Sequence, residues 1–389
     1  MTTIALVTLL AILLTSSSSQ ARPAPSPPPP PPPGPPIKIL VVGDSITHGY
    51  EGDYTWRYRL WQWLRASSSP ATNVTFVGPY PGTFPPADVP PPASPQPPTP
   101  PGFETTRVWG GYALDVEPAF LEDSGRSHFS HWGRQAGQVR ESVGEMVARY
   151  DADYVLVALG FNDLAWIHTV DETLDSIGVI VAGAREARPD VRFAIANVPQ
   201  RTPAGGREWL PDKTDEYNGL LEGLLGELGT EESPVWLVRL REEYQCGITG
   251  CPASHDGLHP NALGEFQIAK AFSQVMHEKY GFGDANFTIP AQIPLRACAA
   301  PKNVRGAKGV WEDGVWGVPV TWDRFYGAFG FLLSARQKGG EWLGEVYTDV
   351  ASYKMPWPRE GEEWEVRVKT YCGDQQDRSP WSDIAPVRT

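Results

Sequence analysis

Four side chains in three separate stretches could between them carry out acyl transfer: Ser45 in GDSIT, Asn162 in GFND, and Asp256 with His259 in DGLHP. A serine hydroxyl is a weak nucleophile until a neighbouring base takes its proton, and that base needs an acid to fix its tautomer and stabilise its charged form. Asp256 and His259, three residues apart, can supply acid and base from one loop. The transition state also needs donors aimed at the developing oxyanion, which backbone N–H groups and the Asn162 amide can provide. Taken alone, Ser45 reads as readily as the cap of a helix. The other two stretches turn the balance towards chemistry.

Each stretch follows a segment able to hold it rigidly. Residues 37–42, IKILVV, form an apolar run broken only by Lys38, the pattern of a strand buried on both faces of a parallel sheet. Gly43, Asp44 and Ser45 then make a turn, with Asp44 supporting it, before Tyr54, Trp56, Leu60, Trp61 and Leu64 recur at helical spacing. Ser45 is expected at a strand's carboxyl end, where open α/β sheets bind ligands. Residues 154–159, YVLVAL, repeat the pattern ahead of Asn162, and Asp163 is expected to hydrogen-bond its own turn. Further strand-like runs at 74–77, 191–196 and 235–240 alternate with helix-like segments at 138–150, 170–187, 214–228 and 262–279. That alternation predicts a three-layer α/β/α sandwich with a parallel sheet, long enough for one substantial core.

The ordered set GDSIT, a glycine, GFND and DGLHP resembles the SGNH hydrolases, also called the GDSL esterase family, over roughly residues 37–280. The resemblance implies a flavodoxin-like α/β/α fold and a serine esterase. Carried over residue by residue, Ser45 is the nucleophile, His259 the base and Asp256 its acid, while the N–H groups of Ser45 and a glycine join Asn162 in the oxyanion hole. That glycine is taken as Gly133 in HWGRQAGQV, ahead of the helix-like run; Gly111 in WGGYALD is the alternative. No metal or organic cofactor is expected. The family includes carbohydrate deacetylases as well as lipases and lysophospholipases.

Residues 1–21 carry an apolar stretch from Ile4 to Leu14 and small residues before Ala21, the pattern of a secretory signal peptide. No later segment is continuously apolar for the roughly twenty residues that span a bilayer. A secreted, extracellular protein is the expectation. Residues 22–36 are almost entirely proline, an extended linker. A second proline-rich segment, 79–101, interrupts the catalytic region at 37–293 and reads as a long surface loop beside the active-site rim, a disordered insertion by preference, with shaping of a substrate cleft as the alternative. With 33 basic and 46 acidic residues the formal charge is −13, which argues against nucleic-acid or anionic-membrane partners. Asn73 and Asn286 head glycosylation sequons.

Four cysteines in an oxidising compartment suggest two disulfides: Cys246 with Cys251, pinning the loop ahead of Asp256, and Cys298 with Cys372. Zinc is disfavoured, because two cysteines without an adjacent histidine pair fall short of the usual ligand count. His255 reads as readily as a surface loop residue as it does as a ligand. His48 could face substrate or pack its own turn, and His128, His131 and His168 are weaker candidates still.

After Ile293 the composition shifts, and residues 297–389 hold seven of the fifteen tryptophans. Strand-like runs at 318–322, 329–336, 344–348 and 364–371 with Gly/Pro turns predict a β-sandwich. It resembles a fibronectin type III domain, with PKNVRG as first strand, Trp322 as the buried tryptophan, WEVRVKTY as sixth strand and SPWSD leading into the last. Its aromatics suit a spacer or packing module, carbohydrate binding being the other role open to them. If it is an accessory module, its deletion should spare activity on a small ester. The combined expectation is a secreted esterase that deacylates a carbohydrate; the alternatives are a lipase or lysophospholipase, and an inactive polysaccharide-binding or adhesion protein.

Overall fold

A computed structural model describes residues 35–67, 73–92, 106–122, 125–312, 315–373 and 378–389. The signal-peptide and most of the linker segment lie outside the described residues. Six parallel strands make the first sheet: β1 (Ile37–Gly43), β2 (Val74–Val77), β3 (Phe129–Ser130), β4 (Tyr154–Ala158), β5 (Arg192–Ala196) and β6 (Val235–Val238), in the order β2-β1-β4-β5-β6 with β3 pairing β1. β1 from Ile39 onward and all of β4 are buried on both faces, as their apolar runs require. They lie side by side in register from Ile39 opposite Tyr154 to Gly43 opposite Ala158. The chain runs from β1 outward to β2 on one side and returns to β4 on the other, so their carboxyl ends flank the point where strand order reverses. Ser45 and Asn162 follow those two ends.

Local signals set the helices that cover the sheet. Thr169 and Glu172 form a reciprocal capping box on Val170–Ala187, and Asn261 caps Ala262–Tyr280 through Leu263 N and Gly264 N. Leu210–Leu228 starts a turn earlier than its periodicity suggests, with Pro211 in the first turn, where a missing N–H costs nothing. The run at 138–150 is two helices, Ala136–Val139 and Ser142–Tyr150, because the first is tied separately by a Gln135–Gln138 capping box. The 235–240 run stops as a strand at Val238, and Leu240–Glu243 is helical.

Residues 79–92 of the proline-rich insertion are packed rather than disordered. Tyr80 and Thr83 are buried, Tyr80 bridges to His128, Thr83 to Gly110, and Phe84 to Tyr50. Aromatic and threonine side chains between the prolines supply the burial that the proline count conceals. Residues 93–101 lie outside the described residues. Asn286 is exposed and Asn73 half-buried at the start of β2. Among the described residues no helix is long and apolar enough to cross a membrane.

Eight antiparallel strands follow: β7 (Arg305–Gly306), β8 (Val310–Glu312), β9 (Val315–Thr321), β10 (Gly330–Gln337), β11 (Val346–Thr348), β12 (Ser352–Met355), β13 (Glu363–Tyr371) and β14 (Ala385–Arg388). They form one sheet ordered β11-β10-β13-β14 and another ordered β12-β9-β7 with β8 on β9. Trp322, Phe331, Leu333, Met355, Val366 and Val368 fill the core of this β-sandwich. Cys298 is bonded to Cys372 and Cys246 to Cys251.

The sandwich is seated on the α/β region by buried charge and close backbone contact. Arg296 pairs with Asp53 and Arg324 with Glu51, and the Tyr326 hydroxyl donates to the Tyr112 carbonyl at 2.6 Å. Gly52 and Gly327 meet backbone to backbone, both at positive φ, and a Cβ on Gly52 would stand 2.5 Å from the Gly327 Cα. Only glycine allows that approach.

Candidate active site

The Ser45 side of the site is built into the core. β1 ends at Gly43, and the Asp44 carboxylate accepts from Ile46 N at 2.9 Å, starting a single helical turn, Ser45–His48, whose residues are all buried. Ser45 is 6% exposed. Its hydroxyl lies 2.9 Å from His259 Nε2, and His259 Nδ1 lies 2.6 Å from Asp256 Oδ2. With Nδ1–H donated to the carboxylate, Nε2 is the acceptor for the serine hydroxyl. The second oxygen of Asp256 accepts from the backbone N–H of Leu258 at 3.0 Å and of His259 at 2.8 Å, so one carboxylate both shapes the turn and holds the ring. Burial pushes the Asp256 carboxyl up, but the hydrogen bonds and positive charge of His259, with His255 beside it, outweigh burial and hold it below the usual carboxylate range.

Asn162 enters from the carboxyl end of β4. Its Nδ2 donates to the Arg134 carbonyl at 3.1 Å and towards Asp44 Oδ2 at 3.4 Å, while Trp166 Nε1 donates to its Oδ1 at 3.3 Å. Gly133 is exposed, at φ 76°, with open space where a Cβ would stand. Trp132 before it stacks on His259, ring centroids 4.5 Å apart and 22° from parallel, and donates its N–H to His48 Nδ1 at 3.2 Å. Gly111 sits elsewhere: its carbonyl accepts from Gly52 N, and its Cα faces the Tyr326 hydroxyl at the domain seam.

Several supporting residues act differently from expectation. Beyond its own turn, the Asp163 carboxylate accepts from Ala136 N at 2.8 Å and Gly137 N at 3.0 Å, tying the loop after Gly133 to the Asn162 turn. That tie joins residues 26 and 27 apart and has no local signature. His48 faces Trp132 rather than solvent. His128 is buried, with Nε2 at 2.8 Å from the Gly82 carbonyl, and His168 is the partly exposed one of the set. His255 is not a surface residue: it is half-buried, its ring stacked on Phe329 of the sandwich. Burial drives His48 and His128 well below the ordinary imidazole range, with neighbouring cationic side chains acting the same way, and puts His131 at about 4 and His255 at about 3. All four are neutral at pH 7. Burial raises Asp44 to about 7, against the Ile46 N–H and the nearby His259.

Trp132 and Trp166 went unrecognised in the sequence, although one adjoins Gly133 and the other lies four residues beyond Asn162. One grouping among the described residues has ligand atoms close enough to share a metal ion, His255, Asp256 and His259, within 4.8 Å of one another. Two of its three side chains are already bonded to each other.

Residues 98–265 match the model of the GDSL-like lipase/acylhydrolase family, a span that contains Asn162, Asp256 and His259 and begins beyond Ser45. No curated protein sequence matches the chain. Among solved structures it is similar to a carbohydrate esterase of family 3 from Talaromyces cellulolyticus, at 22% identity and TM-score 0.44 over 62% of this chain and 96% of that one. A Clostridium thermocellum family 3 carbohydrate esterase matches at 21% identity and TM-score 0.42, over 62% and 94% of the two chains. A GDSL-like lipase from Bacteroides thetaiotaomicron matches at 14% and 0.38, over 62% and 88%. The α/β region thus contains a hydrolase domain of the GDSL type, and the protein is a hydrolase acting on ester bonds.

Proposed function

We propose that the protein is a secreted serine esterase that removes short acyl groups from a carbohydrate. The observation that carries the reading is the unbroken line of hydrogen bonds from Ser45 Oγ through His259 to Asp256, at 2.9 and 2.6 Å. In the first half-reaction Ser45 Oγ attacks the ester carbonyl as His259 Nε2 takes its proton, and Asp256 holds the resulting imidazolium. The tetrahedral oxyanion is held by the N–H groups of Ser45 and Gly133 and by the Asn162 amide. His259 then protonates the departing alcohol, leaving Ser45 acylated. In the second half-reaction water, deprotonated by His259, releases the carboxylic acid and restores the serine.

Two features favour a short acyl group and a sugar alcohol. The cavity lined by Asp44, Ile46, Phe161 and Val198, which reaches both neighbours of Ser45, has room for about one water molecule (≈10 Å³), so no deep acyl tunnel leads away from the serine on that side. Trp166, 61% exposed beside Asn162 with the Arg207 guanidinium 3.8 Å from its ring centre, is an exposed aromatic of the kind that packs against a pyranose. The two disulfides and the apolar stretch in residues 1–21 support an extracellular setting. The accompanying partners are then an acylated polysaccharide, with neither nucleic acid nor a membrane-inserted state.

The test is hydrolysis of p-nitrophenyl esters from acetate to long chains by wild type and Ser45→Ala. Activity should be greatest on acetate and fall about 10³-fold or more in the variant. A variant within tenfold of wild type overturns the serine mechanism, and a maximum at long chains overturns the deacetylase reading.

A further inference from the structure

The turn that carries Asp256 and His259 rests on the sandwich. His255, next in the chain before Asp256, lies face to face with Phe329, ring centroids 3.8 Å apart and 17° from parallel. The His255 carbonyl accepts the Tyr371 hydroxyl. Phe329 directly precedes β10, and Tyr371 ends β13; Phe329 N donates to the Tyr371 carbonyl at 2.9 Å, so both side chains are delivered by one pair of bonded strands. Phe329 is itself backed by the Arg296 guanidinium, 3.8 Å from its ring centre, and Arg296 is paired with buried Asp53. On the other side the contact reaches His259 directly: His255 N donates to the His259 carbonyl at 3.1 Å, and the two rings lie 24° from parallel.

The α/β region also grips this turn, through Thr202 N on the Gly257 carbonyl at 3.0 Å and the Tyr244 hydroxyl on the Leu258 carbonyl at 2.7 Å, but both bonds lie beyond Asp256 and leave the His255 end to the sandwich. Asp256 is 41% exposed at its side chain, and the α/β region's own contact with the His259 ring is Trp132. Held from that side alone, the turn could keep its shape and still pivot at its His255 end relative to Ser45. A fixed ring stack and a hydroxyl bonded to the adjacent carbonyl remove that freedom.

We propose that Phe329 and Tyr371 are positioning residues for ester hydrolysis, holding the Asp256–His259 turn through His255 so that Nε2 stays within reach of Ser45. The proposal rests on the Ser45–His259–Asp256 mechanism above. It makes the sandwich a working part of the catalytic centre rather than a detachable accessory, so removal of residues 297–389 costs activity even on a small ester.

The test uses the full chain and p-nitrophenyl acetate, a substrate too small to need the sandwich for binding. Phe329→Ala should lower kcat about 10- to 100-fold, the scale expected for misplacement of a catalytic group, while KM changes little. Phe329→Tyr, which keeps the ring, should restore most of kcat, and Tyr371→Phe should give a smaller loss. Trp311→Ala, in the β8–β9 hairpin and 70% exposed in the native protein, is the control for general damage to the sandwich and should leave kcat unchanged. Circular dichroism and melting temperature confirm the folded fraction of each variant. If Phe329→Ala does not fold, Phe329→Leu and Tyr371→Phe take its place. Unchanged kcat in folded Phe329 variants, or an equal loss in Trp311→Ala, overturns the proposal. Ser45→Ala run alongside separates the two claims: residual activity there overturns the mechanism, whereas a dead Ser45→Ala beside a fully active Phe329→Ala overturns only the positioning role.

Discussion

The nucleophile and its base are held by different means. Ser45 sits in a buried helical turn at the end of a central strand, surrounded by Asp44, His48, Trp132 and the loop that Asp163 ties down. His259 lies on a partly exposed turn beyond β6, closed locally by the Cys246–Cys251 disulfide and by the Tyr244 hydroxyl on the Leu258 carbonyl at 2.7 Å. The first half of the site is rigid because it is core. The second depends on supports laid against it from outside, including a neighbouring domain. A damaged core support should therefore reduce stability and activity together, whereas a damaged outer support should reduce activity further than stability.

The largest effect expected on the core side comes from Asp163. Asp163→Ala strands the buried Ala136 N and the part-buried Gly137 N, at a cost of roughly 2–4 kcal/mol. Urea unfolding should record that loss alongside a fall in kcat. Asp163→Asn keeps one acceptor and should recover part of it. A loss under about 1 kcal/mol in Asp163→Ala would mean that the Gly133 loop is held by something other than this carboxylate.

Acid should expose the same dependence on burial. His131 stands at about 4 in the folded protein against its ordinary 6.5. Because the folded value is the lower one, the unfolded chain takes up the proton first. His131 therefore costs the fold nothing above pH 6.5 and increasingly more below it, about 3 kcal/mol by pH 4. Asp44, raised to about 7, and Glu265, raised to about 8, act in the opposite sense, favouring the fold as pH falls through those values. The wild-type slope is a difference between these, but the gap between wild type and His131→Gln isolates one group. The variant should lose less stability between pH 6.5 and 4 in denaturant titrations, and parallel curves would contradict the assignment.

The core side was also the legible side. Residues 37–42 and 154–159 announce buried strands through apolar runs, and the pattern at 170–187 marks a helix, because each signal is confined to a few neighbouring residues. The order of GDSIT, GFND and DGLHP points to loops that the structure brings together, since strand ends in a doubly wound sheet converge. What escaped notice depends on distant pairs. Asp163 meets Ala136 across a turn, Tyr80 and Phe84 turn a proline-rich stretch into packed chain, and His255 becomes half-buried through a ring 74 residues further on. Composition sees none of these, since each partner has an innocuous local reading. The two candidate glycines, Gly111 and Gly133, differ in the same way: each lies within two residues of a preceding tryptophan, and only the fold sets one next to the tryptophan that stacks on His259 and the other at the domain seam.

The smallest effect on stability expected here, and the one that most sharpens the contrast, concerns the Cys246–Cys251 disulfide. It closes a loop with a sequence separation of 5, so loop entropy alone assigns it only about 2 kcal/mol. It acts on the approach to the base, where Gln245 N is bonded to Gln267 Oε1 at 2.9 Å and Asn261 N to the Ala253 carbonyl at 2.9 Å. If these local ties sufficed to place His259, the Cys246→Ser/Cys251→Ser variant would lose much of its kcat while Phe329→Ala kept it. If the base is instead held from the sandwich, the double serine variant should unfold at lower urea concentration by an amount near that estimate and, while folded, hydrolyse p-nitrophenyl acetate faster than Phe329→Ala. Comparing kcat of the two variants at a urea concentration where both remain native decides it, because both act on the segment just ahead of Asp256, the disulfide from within the α/β region and the aromatic stack from the sandwich.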